Sequence, residues 1–325
     1  MKNKILITGG CGFIGSHLTE MFVKKGYNVI VFDRYNINND YGWLNNSKYK
    51  KNIEFILGDI RDYDSVYNAV KNCSIVIHLA ALIGIPYSYI SPLAYIKTNI
   101  EGTYNILESS KKLNIDEIIV TSTSEVYGTA QYEPIDENHP HVAQSPYSAS
   151  KIGADKISLS YYRSFNLPVK IIRPFNVFGP RQSLRAIIPT IINQLLISNT
   201  LKLGNLNIQR DFTYVLDLCN AYERILKNKS FIGKEINVGS NKNFFLNDII
   251  EEIRLCLKIK KINIIRDNKR VRPKKSEVFN LICDNNFLKK NTNWSPNYSF
   301  KSGIKNTVNW YQKNKLSFDS KNYNV

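Results

Sequence analysis

With 325 residues, 43% of them hydrophobic, the chain can bury a substantial core in one large or two coupled domains. Its formal net charge of +17 is dispersed. The tightest basic group, Lys269-Arg270-Val271-Arg272-Pro273-Lys274-Lys275, carries no nucleic-acid motif, which argues against a nucleic-acid partner and leaves a field suited to small anionic ligands. The five cysteines and four histidines neither pair nor cluster, which argues against a metal site or a disulfide framework. No stretch approaches the ~20 apolar residues of a membrane helix. The N-terminus lacks the apolar run of a signal peptide, so a cytoplasmic location away from membranes is expected.

Short β-branched runs predict strands at Lys4–Thr8, Asn28–Phe32, Ile53–Leu57, Ile75–Leu79, Glu117–Ser122 and Val169–Ile172. Helical spacing predicts helices between them, among them His17–Lys25, Pro92–Leu113 and Pro146–Phe165. The strands are apolar on both faces, as strands covered on both sides are. The alternation predicts an α/β fold: a Rossmann-type, doubly wound parallel sheet. After about residue 174 the elements shorten and Asn, Gly and Pro increase, which predicts a smaller mixed α/β C-terminal lobe. The expected division is 1–174 and 175–325, with an interleaved boundary, and the polar end from Gln312 is expected to fray.

The first strand runs into Gly9-Gly10-Cys11-Gly12-Phe13-Ile14-Gly15 and then a helix. Small residues there let the backbone approach a pyrophosphate, and the helix N-terminus offers free N–H groups. Asp33 closes the second strand, where an acid accepts from a ribose 2′-hydroxyl and repels a 2′-phosphate. The cofactor expected is therefore NAD rather than NADP, although Arg34 beside Asp33 softens that preference. Asp59 and Ile60 follow the third strand within reach of an adenine. Leu79, Ala80 and Ala81 end the fourth, where small side chains leave room for the cofactor.

Tyr147 and Lys151 stand four residues apart in a helix and share a face. Thr121-Ser122-Thr123-Ser124-Glu125 ends the fifth strand, on the side where open parallel sheets bind ligands. Hydride abstraction from a carbinol needs a base. A phenol, with an ordinary pKa near ~10, can serve only if a cation lowers it. Lys151 is expected to do so, and to hold the cofactor ribose. Thr123, Ser124, Glu125, Tyr147 and Lys151 form the expected catalytic set.

These motifs together resemble the extended short-chain dehydrogenase/reductases, the nucleotide-sugar epimerases and dehydratases. The resemblance spans nearly the whole chain and continues in Asn99-Ile100-Glu101-Gly102-Thr103, Arg173-Pro174-Phe175-Asn176-Val177-Phe178-Gly179-Pro180-Arg181 and Arg210-Asp211-Phe212-Thr213-Tyr214-Val215. It implies that Asn176, Arg210 and Arg272 contact a nucleotide diphosphate sugar, with Ser88 and Arg185 also on the substrate side. Guanidinium groups suit phosphate oxygens. The resemblance also implies a homodimer built on Pro92–Leu113 and Pro146–Phe165.

Glu125 discriminates among reactions. A 4-epimerase only moves a hydride on and off C4. A carboxylate adds an acid/base that can remove the C5 proton once C4 is a ketone, with water leaving from C6. Thr123-Ser124-Glu125 resembles the mannose-type 4,6-dehydratases, and Ser-Glu also occurs in UDP-glucuronate decarboxylases. The stretches His78–Pro92, Ser183–Pro189 and Arg272–Val278 resemble the NAD-dependent 4,6-dehydratases that act on nucleotide-activated N-acetylglucosamine in legionaminic-type sugar biosynthesis. The resemblance leaves open whether the nucleotide is UDP or GDP. Ile83, Ile85, Pro86 and Tyr87 form an apolar strip that suits an acetamido methyl as well as plain packing. Epimerase and decarboxylase chemistry remain the alternatives on the same scaffold.

Overall fold

The computed structural model describes residues 4–206, 209–270, 273–278 and 280–314. The first half builds strands β1 (Lys4–Thr8), β2 (Asn28–Arg34), β3 (Ile53–Gly58), β4 (Ile75–His78), β5 (Glu117–Thr121) and β6 (Val169–Pro174). The second half adds β7 (Asn176–Phe178), β8 (Thr200–Leu203), β9 (Gln209–Tyr214), β10 (Glu235–Val238), β11 (Asn243–Phe245), β12 (Asn263–Arg266) and β13 (Asn280–Leu281). The helices are α1 (Phe13–Lys24), α2 (Tyr63–Val70), α3 (Ile85–Ile90), α4 (Pro92–Tyr95), α5 (Gly102–Lys112), α6 (Pro146–Phe165), α7 (Ile187–Ile197), α8 (Val215–Lys227), α9 (Leu246–Leu257), α10 (Asn286–Thr292) and α11 (Phe300–Lys313).

Seven parallel strands form the main sheet in the order β10-β6-β5-β4-β1-β2-β3. Successive side chains alternate between its faces. Ile5, Ile7, Val29, Val31 and Ile77 pack against Leu18 and Phe22 of α1 and Leu218, Tyr222 and Ile225 of α8. Leu6, Ile30, Phe32, Val76, Ile118 and Val120 pack against Val66 of α2, Ile106 of α5 and Leu159 of α6 on the other side. The strand interiors are thus apolar on both faces, each face with its own helix layer, and the doubly wound expectation is met. The chain reverses its direction of strand addition between β1 and β4, which opens a crevice at their carboxyl ends.

β10 lies after residue 174 yet joins the main sheet beside β6, and α8 covers that sheet, so the chain returns to the first layer. The smaller lobe packs α7, α9 and α11 around β8 and β9 through Ile188, Ile191, Ile249, Ile253, Ile304 and Val308. β9 pairs with β7, β11 and β13, which ties that lobe to the edge of the cleft.

Several expected strand ends shift by one or two residues, and three differences have a clear structural cause. α1 begins at Phe13 rather than His17, because the glycine loop turns straight into the helix at Gly12. β6 runs on to Pro174 because β10 supplies a partner there. The helix expected over Pro92–Leu113 is broken into α4, a π-helical turn at Ile96–Glu101, and α5. The wide turn holds Asn99, whose side chain bonds the backbone of Leu82 at both N (2.8 Å) and O (2.9 Å), and also Ser150 Oγ (2.9 Å). Such turns relocate one side chain without ending a helix.

Candidate active site

A cleft of about 1400 Å³ opens at the carboxyl ends of β1, β4 and β5 and extends to the smaller lobe. Its floor is the glycine loop. Gly9 has a φ of +69°, and a Cβ on Gly15 would lie 2.2 Å from the Gly9 carbonyl oxygen. The loop is therefore packed backbone on backbone. α1 has no side-chain cap at its N-terminus, so its first N–H groups and its dipole face the cleft beside Gly12, Phe13, Ile14 and Gly15. This cradle fits a pyrophosphate.

Asp33 lines the cleft and also braces the loop. One carboxylate oxygen accepts from Cys11 N and the other from Arg34 N, both at 2.8 Å. Arg34, Asp59, Ile60, Leu79, Ala80 and Ala81 line the same end. Arg61 hydrogen-bonds Asp59 and holds its carboxyl below the usual carboxylate range, their closest approach being 2.5 Å. Thr8 Oγ1 accepts from Leu79 N (3.2 Å) and Ala80 N (3.1 Å), which draws the β4 end against β1. These residues would hold NAD along the crevice.

The reactive end is built from β5 and α6. β5 stops at Thr121, and a tight turn over Ser124–Val126 follows, with Thr123 Oγ1 accepting from Glu125 N (3.2 Å). α6 starts at Pro146 under a capping box formed by Ser145 and Ser148. Tyr147, Lys151 and Asp155 then fall at fourfold spacing on its buried face. Thr123, Glu125, Tyr147 and Lys151 all line the cleft.

The electrostatics differ from expectation. Burial pushes the Tyr147 phenol well above its ordinary value, a hydrogen bond from Thr123 lowers it, and the nearby Glu125 charge raises it. Lys151 is not among the main influences on that phenol. Its ammonium donates to Thr121 O at 2.5 Å, and burial lowers its own pKa to about 8 while Asp155 raises it. Desolvation is therefore the largest single influence on this phenol.

Asn176, Arg185 and Arg210 line the other half of the cleft. The side-chain nitrogen of Asn176 is buried with no hydrogen-bond partner among the described residues, a donor waiting for an acceptor. Arg210 is buried, donates to Gln209 O (2.9 Å) and Val278 O, and lies 3.8 Å from Glu277. Arg185 is exposed within the cleft. Two expected residues are not brought in. Ser88 is fully buried and donates to Ile85 O (2.7 Å), and Ser124 is buried beneath the turn; neither lines the cleft. Arg272 lies outside the described residues. Ile83, Ile85, Pro86 and Tyr87 do line it.

The sequence reading missed Arg61, Gln182, Arg270 and Glu277, which also line the cleft. Arg61 stands two residues after Asp59, Arg270 two residues before Arg272, and Glu277 within the Arg272–Val278 stretch, so proximity to named motifs was the available signal. It also missed a buried network. Asp155 accepts from Ser122 Oγ (2.8 Å) and from Arg173 (3.0 and 3.2 Å), and Arg173 reaches the Tyr127 hydroxyl at 3.0 Å. No local pattern announces a contact between β6 and α6.

Comparison with known proteins bears on this geometry. The family described as GDP-mannose 4,6 dehydratase matches residues 6–307. A UDP-N-acetyl-alpha-D-glucosaminuronate decarboxylase of Bacillus cytotoxicus is 33% identical over 96% of this chain and 99% of its own. The dTDP-glucose 4,6-dehydratase of Bacillus anthracis, solved in complex with NAD, superposes with a TM-score of 0.84 at 29% identity, covering 96% of this chain and 97% of that one. The UDP-glucose 4-epimerase of Thermotoga maritima, solved with UDP-glucose, gives a TM-score of 0.87 at 27% identity over 96% and 100% of the two chains. The glycine cradle, the acid at the end of β2 and the tyrosine–lysine pair in one cleft agree with these matches, and the chain belongs to the NAD-dependent nucleotide-sugar dehydratase and epimerase family.

Proposed function

We propose that this member is a 4,6-dehydratase that converts a UDP- or GDP-activated N-acetylglucosamine to its 4-keto-6-deoxy product. The observation that carries the reading is the carboxylate of Glu125 in the same cleft as Tyr147 and close enough to act on its phenol. An enzyme that only exchanges hydride at C4 has no use for that group.

NAD, when bound, supplies the hydride acceptor for C4, the hydride donor for C6, and a positive charge near the buried phenol. Tyr147 takes the C4 hydroxyl proton, with Thr123 hydrogen-bonded to it. Lys151 holds the cofactor ribose side. With C4 a ketone, the C5 proton is acidic and Glu125 removes it. Relaying that proton to the C6 hydroxyl lets it leave as water; C6 then regains a hydride and C5 takes a proton from solvent, matched by the C4 hydroxyl proton that Tyr147 passes to solvent, so the sugar loses one water and the cofactor ends unchanged. Asn176 and Arg210 bind the diphosphate half, and the strip of Ile83, Ile85, Pro86 and Tyr87 packs on the acetamido group. The product suits legionaminic-type sugar biosynthesis, which the motifs around His78 and Arg272 resemble.

Incubation with UDP- and GDP-N-acetylglucosamine in deuterated water tests the reading. The expected product lacks one water and carries deuterium at C5. An isomer of unchanged composition would overturn it in favour of epimerisation. One observation favours a second reading: Arg185 in the cleft would pair with a C6 carboxylate, as a uronate decarboxylase requires. Release of carbon dioxide from UDP-glucuronate or its N-acetyl analogue would establish it.

The homodimer is part of the same reading. Leu93, Ile96 and Phe165 expose apolar surface on the two helical stretches that would pair. Sedimentation at the monomer mass would refute it.

A further inference from the structure

Two of the selective sequence stretches meet in space. Tyr89, at the end of α3, and Ser276, in the segment 273–278, lie 2.6 Å apart through their hydroxyls. The Ser276 hydroxyl donates to Gln144 O at 2.6 Å, so its single proton is committed and Tyr89 is the donor of the pair. Gln144 returns the contact through its amide nitrogen to Lys275 O at 3.3 Å. Its amide oxygen accepts from Thr129 N (2.7 Å) and Thr129 Oγ1 (3.2 Å).

Each strand of this junction leads to the cleft. Ile85, Pro86 and Tyr87 on the Tyr89 side line it, and so does Glu277 beside Ser276. Gln144 immediately precedes the Ser145 cap of the helix that carries Tyr147, and Thr129 follows the turn that carries Glu125. On the far side, Val278 O accepts from Arg210. The segment 273–278 thus bridges the substrate-side arginine and the reactive end. The catalytic chemistry has no task for these three side chains.

We propose that Tyr89, Ser276 and Gln144 form a tie across the cleft, which holds the segment 273–278 in register with the Tyr147 helix and so positions the bound nucleotide sugar. They are positioning residues and touch no reacting atom. The tie rests on the reading that the cleft takes a nucleotide sugar, and not on which reaction follows. The bonds are polar, half-buried and few, so they can break for entry and re-form over the ligand. One such bond corresponds to about a fivefold change in affinity.

The test uses Tyr89→Phe, Ser276→Ala and the double variant of the full chain. Two readouts are taken: KM and kcat with UDP- and GDP-N-acetylglucosamine, and amide hydrogen exchange of the peptide spanning 273–278 without substrate. Tyr89→Phe is expected to raise KM about fivefold and Ser276→Ala, which also removes the bond to Gln144 O, about 25-fold, each leaving kcat within about twofold. The double variant is expected to match Ser276→Ala, because both changes remove the same bond. Exchange in 273–278 is expected to accelerate in all three, with NAD content unchanged. Unchanged exchange overturns the tie whatever the substrate proves to be. Unchanged KM, or a loss confined to kcat, overturns its positioning role. If neither sugar is turned over by the unmodified protein, the dehydratase reading fails, while exchange still decides the tie.

Discussion

Glu125 and Tyr147 divide the labour that the proposed reaction needs, and single substitutions separate them. Glu125→Gln keeps the volume and removes the base. It is expected to abolish elimination, about a hundredfold or more, while bound NAD and its reduction on adding substrate persist. Full dehydration by that variant would remove the base assignment. Tyr147→Phe leaves no group for the C4 hydroxyl proton. No reduction of bound NAD is expected on adding substrate, and a wild-type absorbance change at 340 nm would contradict the role. Both residues were legible in the sequence because their types and order are rare together. The electrostatic sign was not. Burial raises the phenol and lowers the lysine, and burial is a property of the packed chain.

At the level of elements, the loop between β1 and α1 has the least tolerance. A methyl at Gly15 would sit 2.2 Å from Gly9 O and 2.7 Å from Gly10 Cα, so backbone must move. Gly15→Ala is expected to yield folded protein that has lost its NAD, measured as cofactor released per chain after denaturation. Retention of stoichiometric NAD would show that the cradle adapts. The cap of α6 is a milder case. Ser145→Ala removes the capping-box oxygen and is expected to cost about 1 kcal/mol, read from denaturant midpoints. The strands and α6 could be read from sequence because burial on both faces and a Ser-Pro start leave local signatures. The π-helical turn at Ile96–Glu101 could not. It answers to Asn99 reaching Leu82 and Ser150, which only the fold brings near.

Across the whole molecule, three histidines are held neutral by burial. His78 is lowered to about 3, between Thr8 Oγ1 (2.8 Å) and Thr103 Oγ1 (3.1 Å). His17 and His141 are each lowered to about 4. A depressed histidine binds fewer protons folded than unfolded, so its contribution is full above about pH 6.5 and is lost as pH falls toward its folded value. Burial raises Glu137 to about 7 and Asp211 to about 6, and these act oppositely, losing stability as pH rises through the same range. Three histidines outweigh two acids whose shifts are no larger. The unfolding midpoint is therefore expected to fall on acidification from pH 6.5 to 4, with about a third of the histidine contribution removed in His78→Gln. A midpoint that rises on acidification would reverse the balance.

The family, the parallel sheet, the pyrophosphate cradle and the tyrosine–lysine pair were determined by the sequence alone, because each depends on residues adjacent in the chain or at helical spacing. Tertiary structure decided what depends on distant partners. It withdrew Ser88 and Ser124 from the cleft, since both are buried beneath its wall. It returned β10 to the first sheet, closed Arg173 onto Asp155, and joined Tyr89 to Ser276. Polar contacts between residues far apart in the chain leave no periodic mark in a sequence, and they form only once the chain is packed.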